Sequence, residues 1–314
     1  MNDKGYQPSF PIEDVNAAPR RLCMLLWGLA AAGKTTWAAT APGQKLILSF
    51  GDNEAASLIG RKDVQVMPIY KYKTEDIFKF GADAFGLDRF LYENRQYQTV
   101  ICDSVTMLQQ RALERSVEVG LGASPRFTPT MMTPGQSAYG GRLALSLMVM
   151  DALMRVTAKH NVHLIFTAHE NEAVTVPDGK GGQSVIDITV TLGGKLMGLT
   201  TSRLSEIWHL RTITGRDYRI VSIRPQANRR PMRSKIFSNK GEPSFIVEYD
   251  PERPDTDKDQ MTIAKFYQQW ERSNGKIPVP DNRPGGKKED NAGRPVRELP
   301  KRTLPVISNK DKRV

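Results

Sequence analysis

The stretch GLAAAGKTTW at residues 28 to 37 limits what this chain can fold into more than any other part of it. It is entered through RLCMLLW, an apolar run of strand length, and left through an Ala-rich turn that stops at Pro42. A strand, then a loop of small residues, then a helix start aim consecutive backbone N–H groups at one point, where the helix dipole also favours negative charge. Such a point suits a phosphate.

Gly28 and Gly33 have the spacing G-x-x-x-x-G-K-[ST], the P-loop, in which the lysine reaches the β- and γ-phosphates and the hydroxyl binds magnesium. Gly28, Leu29, Ala30, Ala31, Ala32, Gly33, Lys34, Thr35 and Thr36 are therefore expected to hold ATP, with Thr35 also a ligand of Mg2+.

Downstream, continuous apolar runs of strand length recur: KLILSF at 45–50 ending in GDNE, then VQVMPIY, YQTVICDS at 97–104 and VHLIFTA at 162–168. Helical spacing separates them, with Val105, Leu108, Ala112 and Val119 on one face and Leu143, Leu147, Met150 and Met154 on another. Strands that are apolar on both faces and alternate with helices define an α/β fold with a mostly parallel sheet flanked by helices. Ligands then bind at the carboxyl ends of the strands, where GLAAAGKT, GDNE, CDS and TAHE all fall.

Magnesium takes oxygen ligands and keeps several waters, so an acid closing a neighbouring strand is the natural anchor. Asp103 closes TVIC; such an acid also serves as a helix N-cap, and beside a P-loop the metal role is expected. The residue after it is Ser104, so the base that activates water must come from elsewhere. Glu54 is expected to be that base, with Asp52 the alternative. His169, in TAHE, stands where a side chain senses the γ-phosphate, although a lone histidine is often structural.

Segments rich in Gly, Pro, Ser and Thr at 120–141 and 170–184 read as long loops. EIWHLRTI and DYRIVSIRP read as a hairpin turning at Thr214 and Gly215, GGKLMGLTTSRL as a helix, and PSFIVEYD as a last strand. The expected organisation is an N-terminal arm over 1–19, a core over 20–250, a linker with an amphipathic helix over 251–276, and a disordered basic tail over 277–314. In that helix Ile263, Phe266, Tyr267 and Trp270 share a face. Cys23 and Cys102 lie inside apolar runs and read as small hydrophobes.

A formal net charge of +11 points to a polyanionic partner, nucleic acid before membrane. No stretch approaches the roughly 18 uninterrupted apolar residues of a membrane span, and the polar start MNDKGYQPSF has no signal-peptide core, so a cytoplasmic protein is expected. The cluster NRRPMRSK, with Arg229, Arg230, Arg233 and Lys235, is a solvated surface, a nucleic-acid contact or a source of cations for an adjacent subunit's nucleotide.

A P-loop, an acid on the next strand, a strand ending in Asp-Ser and a strand ending in a polar sensor together resemble the RecA-type recombinase core. TAHE and the GGKLMG helix are most similar to the phage-encoded RecA-like ATPases, phage nucleotide-binding proteins of single-strand annealing and recombination. The resemblance spans roughly residues 20 to 250 and rests most on the P-loop. It implies a RecA-like P-loop NTPase core that assembles as a homo-oligomeric filament or ring, with ATP between subunits and single-stranded DNA held by the two long loops. Arg126, Phe127, Arg142 and Lys180 would then contact DNA, and Arg233 and Lys235 would reach the neighbouring subunit's ATP. The tail would recruit replication proteins, a single-strand-binding protein among them. A ring motor or helicase on the same core, a nucleotide-gated replication adaptor and a small-molecule kinase are the rival readings. The long loops carry few of the arginines that a kinase lid would need.

Overall fold

The computed structural model describes residues 20–52, 54–177, 183–212, 218–226, 228–229, 231–250, 260–273 and 275–280. In chain order the elements are β1 (Cys23–Gly28), α1 (Lys34–Ala38), β2 (Gln44–Ser49), β3 (Val64–Pro68), α2 (Thr74–Gly81), α3 (Leu87–Glu93), β4 (Tyr97–Asp103) and α4 (Val105–Glu118). There follow α5 (Gly135–Lys159), β5 (His163–His169), β6 (Val174–Pro177), β7 (Gln183–Asp187), α6 (Lys195–Arg203), β8 (Glu206–Thr212), β9 (Arg219–Ser222), β10 (Ser244–Val247) and α7 (Ile263–Arg272).

Eight strands form one sheet in the order β10-β9-β8-β1-β5-β4-β2-β3. From β8 to β3 all neighbours are parallel, and β9 and β10 add an antiparallel edge. Alternation along each inner strand splits the apolar side chains between two layers, as a sheet covered on both faces requires. Leu25 and Trp27 of β1, Val100 and Cys102 of β4, and Leu164 and Phe166 of β5 pack with α4 and α5. Met24, Leu26, Ile47, Ile101 and Ile165 face the other way, onto Trp37 of α1 and Ile263 and Phe266 of α7. These side chains are fully buried, so truncating one such as Leu25 or Ile101 to alanine costs about 2–5 kcal/mol.

Topology matters most at the centre, where β5 stands between β1 and β4. A threonine of β5 thereby lies between the phosphate loop and the acid that closes β4. Among the described residues no helix is long and apolar enough to cross a membrane.

Several sequence expectations change. The first long loop is shorter than read, because α5 already begins at Gly135, after Pro134 at its N-cap. Gly141 eases this: a Cβ there would lie 2.4 Å from Leu121 and 2.5 Å from Ser116, so glycine lets α5 pass the end of α4 without displacing those side chains. The second loop is largely an antiparallel pair, β6 with β7, whose connection lies outside the described residues. The turn at Thr214 and Gly215, the arm over 1–19 and most of the tail also lie outside them. Ile277, read as the first residue of the tail, is buried and exchanges backbone hydrogen bonds with Ile236 and Ser238. Val119 lies past the end of α4 and is half exposed, whereas Leu143, Leu147, Met150 and Met154 pack against the core as their spacing predicts.

Candidate active site

The loop between β1 and α1 is shaped by two close approaches. A Cβ on Gly28 would sit 2.0 Å from the Leu210 carbonyl oxygen of β8, so no side chain is tolerated there. Gly33, at the N-cap of α1, has φ 84° and lies under the Arg219 guanidinium. Inside this loop Lys34 is buried, and its ammonium donates to the carbonyls of Gly28 at 3.0 Å and Leu29 at 2.7 Å. Burial lowers its pKa, an effect opposed by the charges of Asp103, Glu54 and Glu170.

Next to Lys34, the Thr35 hydroxyl donates to Asp103 Oδ2 at 2.6 Å. The other oxygen, Oδ1, accepts the hydroxyl of Thr167, which β5 supplies from between the two parent strands. Burial raises the Asp103 pKa, against the two hydroxyl bonds and Lys34. Among the described residues no group of three or more His, Cys, Asp or Glu side chains could hold a metal. One hydroxyl and one carboxylate are nevertheless the oxygen donors that Mg2+ takes when phosphates and water complete its shell. The donor set therefore fits magnesium arriving with a nucleotide.

Glu54 reaches this spot from the turn after β2. Its Oε2 accepts the Gly51 N–H at 3.0 Å and its Oε1 accepts the Ser104 hydroxyl at 3.1 Å. Burial, reinforced by the Asp103 charge, lifts its pKa to about 7, despite the two hydrogen bonds and Lys34, which act to lower it. Asp52 by contrast is exposed. His169, at the end of β5, donates its backbone N–H to Thr106 and is held neutral by burial and by Lys34.

Lys34, Thr35, Asp103, Glu54, His169 and Arg219 all line one cavity of about 410 Å³. A larger cavity of about 620 Å³ lies at the opposite end of β4 and β5, between Arg95, His163 and Tyr267, and none of the phosphate-loop residues lines it. Arg219, like Thr167, is a site residue that sequence reasoning missed. Its Nε donates to the Ala32 carbonyl at 3.1 Å, which lays the guanidinium along the phosphate loop. The only available signal was its place at the start of the strand after β8, and that strand's register against the P-loop cannot be read from sequence.

The remaining expected site residues lie elsewhere. Arg126 and Phe127 are exposed on the connection from α4 to α5, Arg142 of α5 sits 4.9 Å over the Tyr139 ring, and Lys180 is outside the described residues. Arg233 and Lys235 flank the start of β8, the end of the sheet away from Gly28. Arg233 donates to the carbonyls of Thr201 and Leu204 and so holds the end of α6, while Lys235 is exposed.

A parallel sheet whose first strand ends in this loop, with a buried acid on β4 hydrogen-bonded to the loop's threonine, defines a P-loop ATPase core. The chain belongs to the family described as AAA domain, whose model matches residues 20–216, well over half its length. Membership brings nucleotide binding and nucleotide-dependent ATPase activity. No curated protein matches the chain.

Proposed function

We propose that this ATPase hydrolyses ATP with Glu54 as general base and couples turnover to single-stranded DNA, promoting annealing or strand exchange in phage recombination or replication. One observation carries the chemistry: a carboxylate with a pKa of about 7 faces the same cavity as Lys34 and the Thr35–Asp103 pair. A base poised near the working pH is half ionised when needed and still basic enough to take a proton from water.

On nucleotide entry, the Lys34 ammonium exchanges the two carbonyls that it now holds for phosphate oxygens. Thr35 and Asp103 would hold Mg2+, which when bound would supply charge neutralisation for the transferring group. Thr167 keeps the Asp103 carboxylate turned toward Thr35, and Ser104 and the Gly51 N–H keep Glu54 aimed at the cavity. Arg219 lies close enough to the loop to contact phosphate as well. The His169 carbonyl accepts the Thr191 N–H at 2.7 Å, which ties the proposed γ-phosphate sensor to the chain returning from β7.

For DNA, the support is the net charge of +11 and the exposed Arg126, Phe127 and Tyr139, with the half-buried Arg142 over the Tyr139 ring, which combine cations with rings that bases can stack on. Assembly into a filament or ring would offer Lys235 to a neighbouring subunit's ATP. The base lies after β2 and not after Asp103, which supports the RecA-like reading of the core. The deciding experiment measures ATP turnover and assembly with and without a single-stranded oligonucleotide. Stimulated turnover by an assembled form is expected; one unchanging rate from a monomer overturns the DNA half, and no turnover overturns the whole.

A further inference from the structure

On the face of the sheet opposite α1, four ionisable side chains crowd the carboxyl end of β1. Glu170 donates its backbone N–H to the Gly28 carbonyl at 2.9 Å, and its carboxylate meets His209 Nε2 at 2.7 Å. His209 is wholly buried, with its ring 4.2 Å from that of Trp27. Arg211 follows two residues along β8 and so shares the face of His209. Arg229 arrives from a turn whose Asn228 carbonyl accepts the Ile188 N–H at 2.8 Å, just past the end of β7.

The charges of this group do not balance. Burial, with Arg229 and Arg211 beside it, presses the His209 pKa down against the pull of Glu170, so the imidazole is neutral. Two guanidinium charges then face one carboxylate, which is already engaged by His209. The Nε atoms of both arginines are buried without a hydrogen-bond partner, and so is His209 Nδ1. Among the described residues neither guanidinium has a carboxylate in ion-pair contact. Burial, with the repulsion of Arg229, also lowers the Arg211 pKa. Buried donors without acceptors are costly unless a ligand supplies the acceptor.

We infer that Arg211 and Arg229 form a binding site for one phosphodiester group of a nucleic-acid strand. A single negative charge cancels the surplus, whereas a triphosphate would invert it. Two planar guanidinium forks suit a tetrahedral oxyanion better than ammonium groups would. A strand seated there would lie at the base of the β6–β7 pair and against Glu170, the residue hydrogen-bonded to the end of the P-loop strand. The inference rests on the nucleic-acid half of the proposed function and gives that half an address.

The test uses the full chain, a fluorescein-labelled oligothymidylate in a salt series, and a fluorescent ATP analogue as a separate ligand. The double variant R211Q/R229Q is expected to bind the oligonucleotide at least about tenfold more weakly, with the slope of log affinity against log salt reduced by about 0.7 for one lost phosphate contact. Binding of the ATP analogue should stay at the wild-type value, which also reports that the core is folded. R211K/R229K, which keeps the charge and loses the forks, should fall between the two. Wild-type protein that ignores the oligonucleotide overturns the nucleic-acid half of the function and this site with it. Wild-type binding with an unchanged affinity and slope in the double variant overturns this site alone. A variant that keeps oligonucleotide binding but loses only the concentration-dependent part of its ATPase assigns the arginines to a neighbouring subunit's nucleotide, and overturns the inference too.

Discussion

The two ends of β5 and its neighbours are built on different terms. At the carboxyl end, Asp103, Thr35, Thr167 and Ser104 are packed together and hydrogen-bonded in pairs, so each hydroxyl has one geometry open to it. At the amino end, the larger cavity is bordered by His163, fixed by the Leu22 N–H at 3.1 Å, and by His160 and Lys159, both paired with Asp88. One end is polar so that it can handle charge; the other uses polar groups to close the sheet. The difference teaches that cavity size is a poor guide to chemistry here, and that convergence of a buried lysine, two carboxylates and a hydroxyl on the phosphate loop is a better one.

The sharpest way to break this contrast is Lys34→Ala. Loss of the buried cation should abolish hydrolysis while the thermal melt stays close to wild type, as read by phosphate release beside circular dichroism. Glu54→Gln should come next: nucleotide binding retained, with kcat lower by about two to four orders of magnitude. Asp52→Asn should change little, and if it is the slow variant instead, the base has been misassigned. Because Glu54 must be ionised to accept a proton, the wild-type rate should fall as pH drops through about 7. A flat profile from pH 6 to 8 would remove Glu54 from that role.

Arg219→Ala should have a smaller effect, weakening ATP by about 1.5–3 kcal/mol as one charge-assisted hydrogen bond is lost. Equilibrium binding of a fluorescent ATP analogue would measure it. The amino end gives the smallest signal and one of stability alone. Burial holds the His163 pKa near 4, below its ordinary 6.5, so the folded state resists a proton that the unfolded chain accepts. That contribution is complete above pH 6.5 and declines as pH falls toward 4, by about 3 kcal/mol in all. Denaturant melts of His163→Gln should lack this part of the pH dependence. A turnover defect in that variant at neutral pH would show that the two ends are not separate.

How much of this could be read beforehand follows from how local each signal is. The P-loop lies within ten consecutive residues, and Asp103 and Glu54 each close an apolar run, so strand ends located them. The cysteines, read as small hydrophobes, are free thiols whose pKa values burial raises. What stayed hidden depends on register between distant strands. Thr167 meets Asp103 because β5 enters between β1 and β4, and Arg219 meets Gly33 because β9 folds back on β8. Neither residue has a neighbour in sequence that announces it. Loop composition misled in the other direction: Gly140 and Gly141, read as loop, lie inside a 25-residue helix because packing against α4 outweighs their low helix propensity.

The missing side chain at Gly28 has a further consequence. With the Leu210 oxygen filling the place of a Cβ, the start of the phosphate loop lies directly against β8, the strand already paired with β1. Occupancy of the loop should therefore be felt, through β8 and Arg219 of β9, as slower amide exchange in β10, a strand that brings no residue to the cavity.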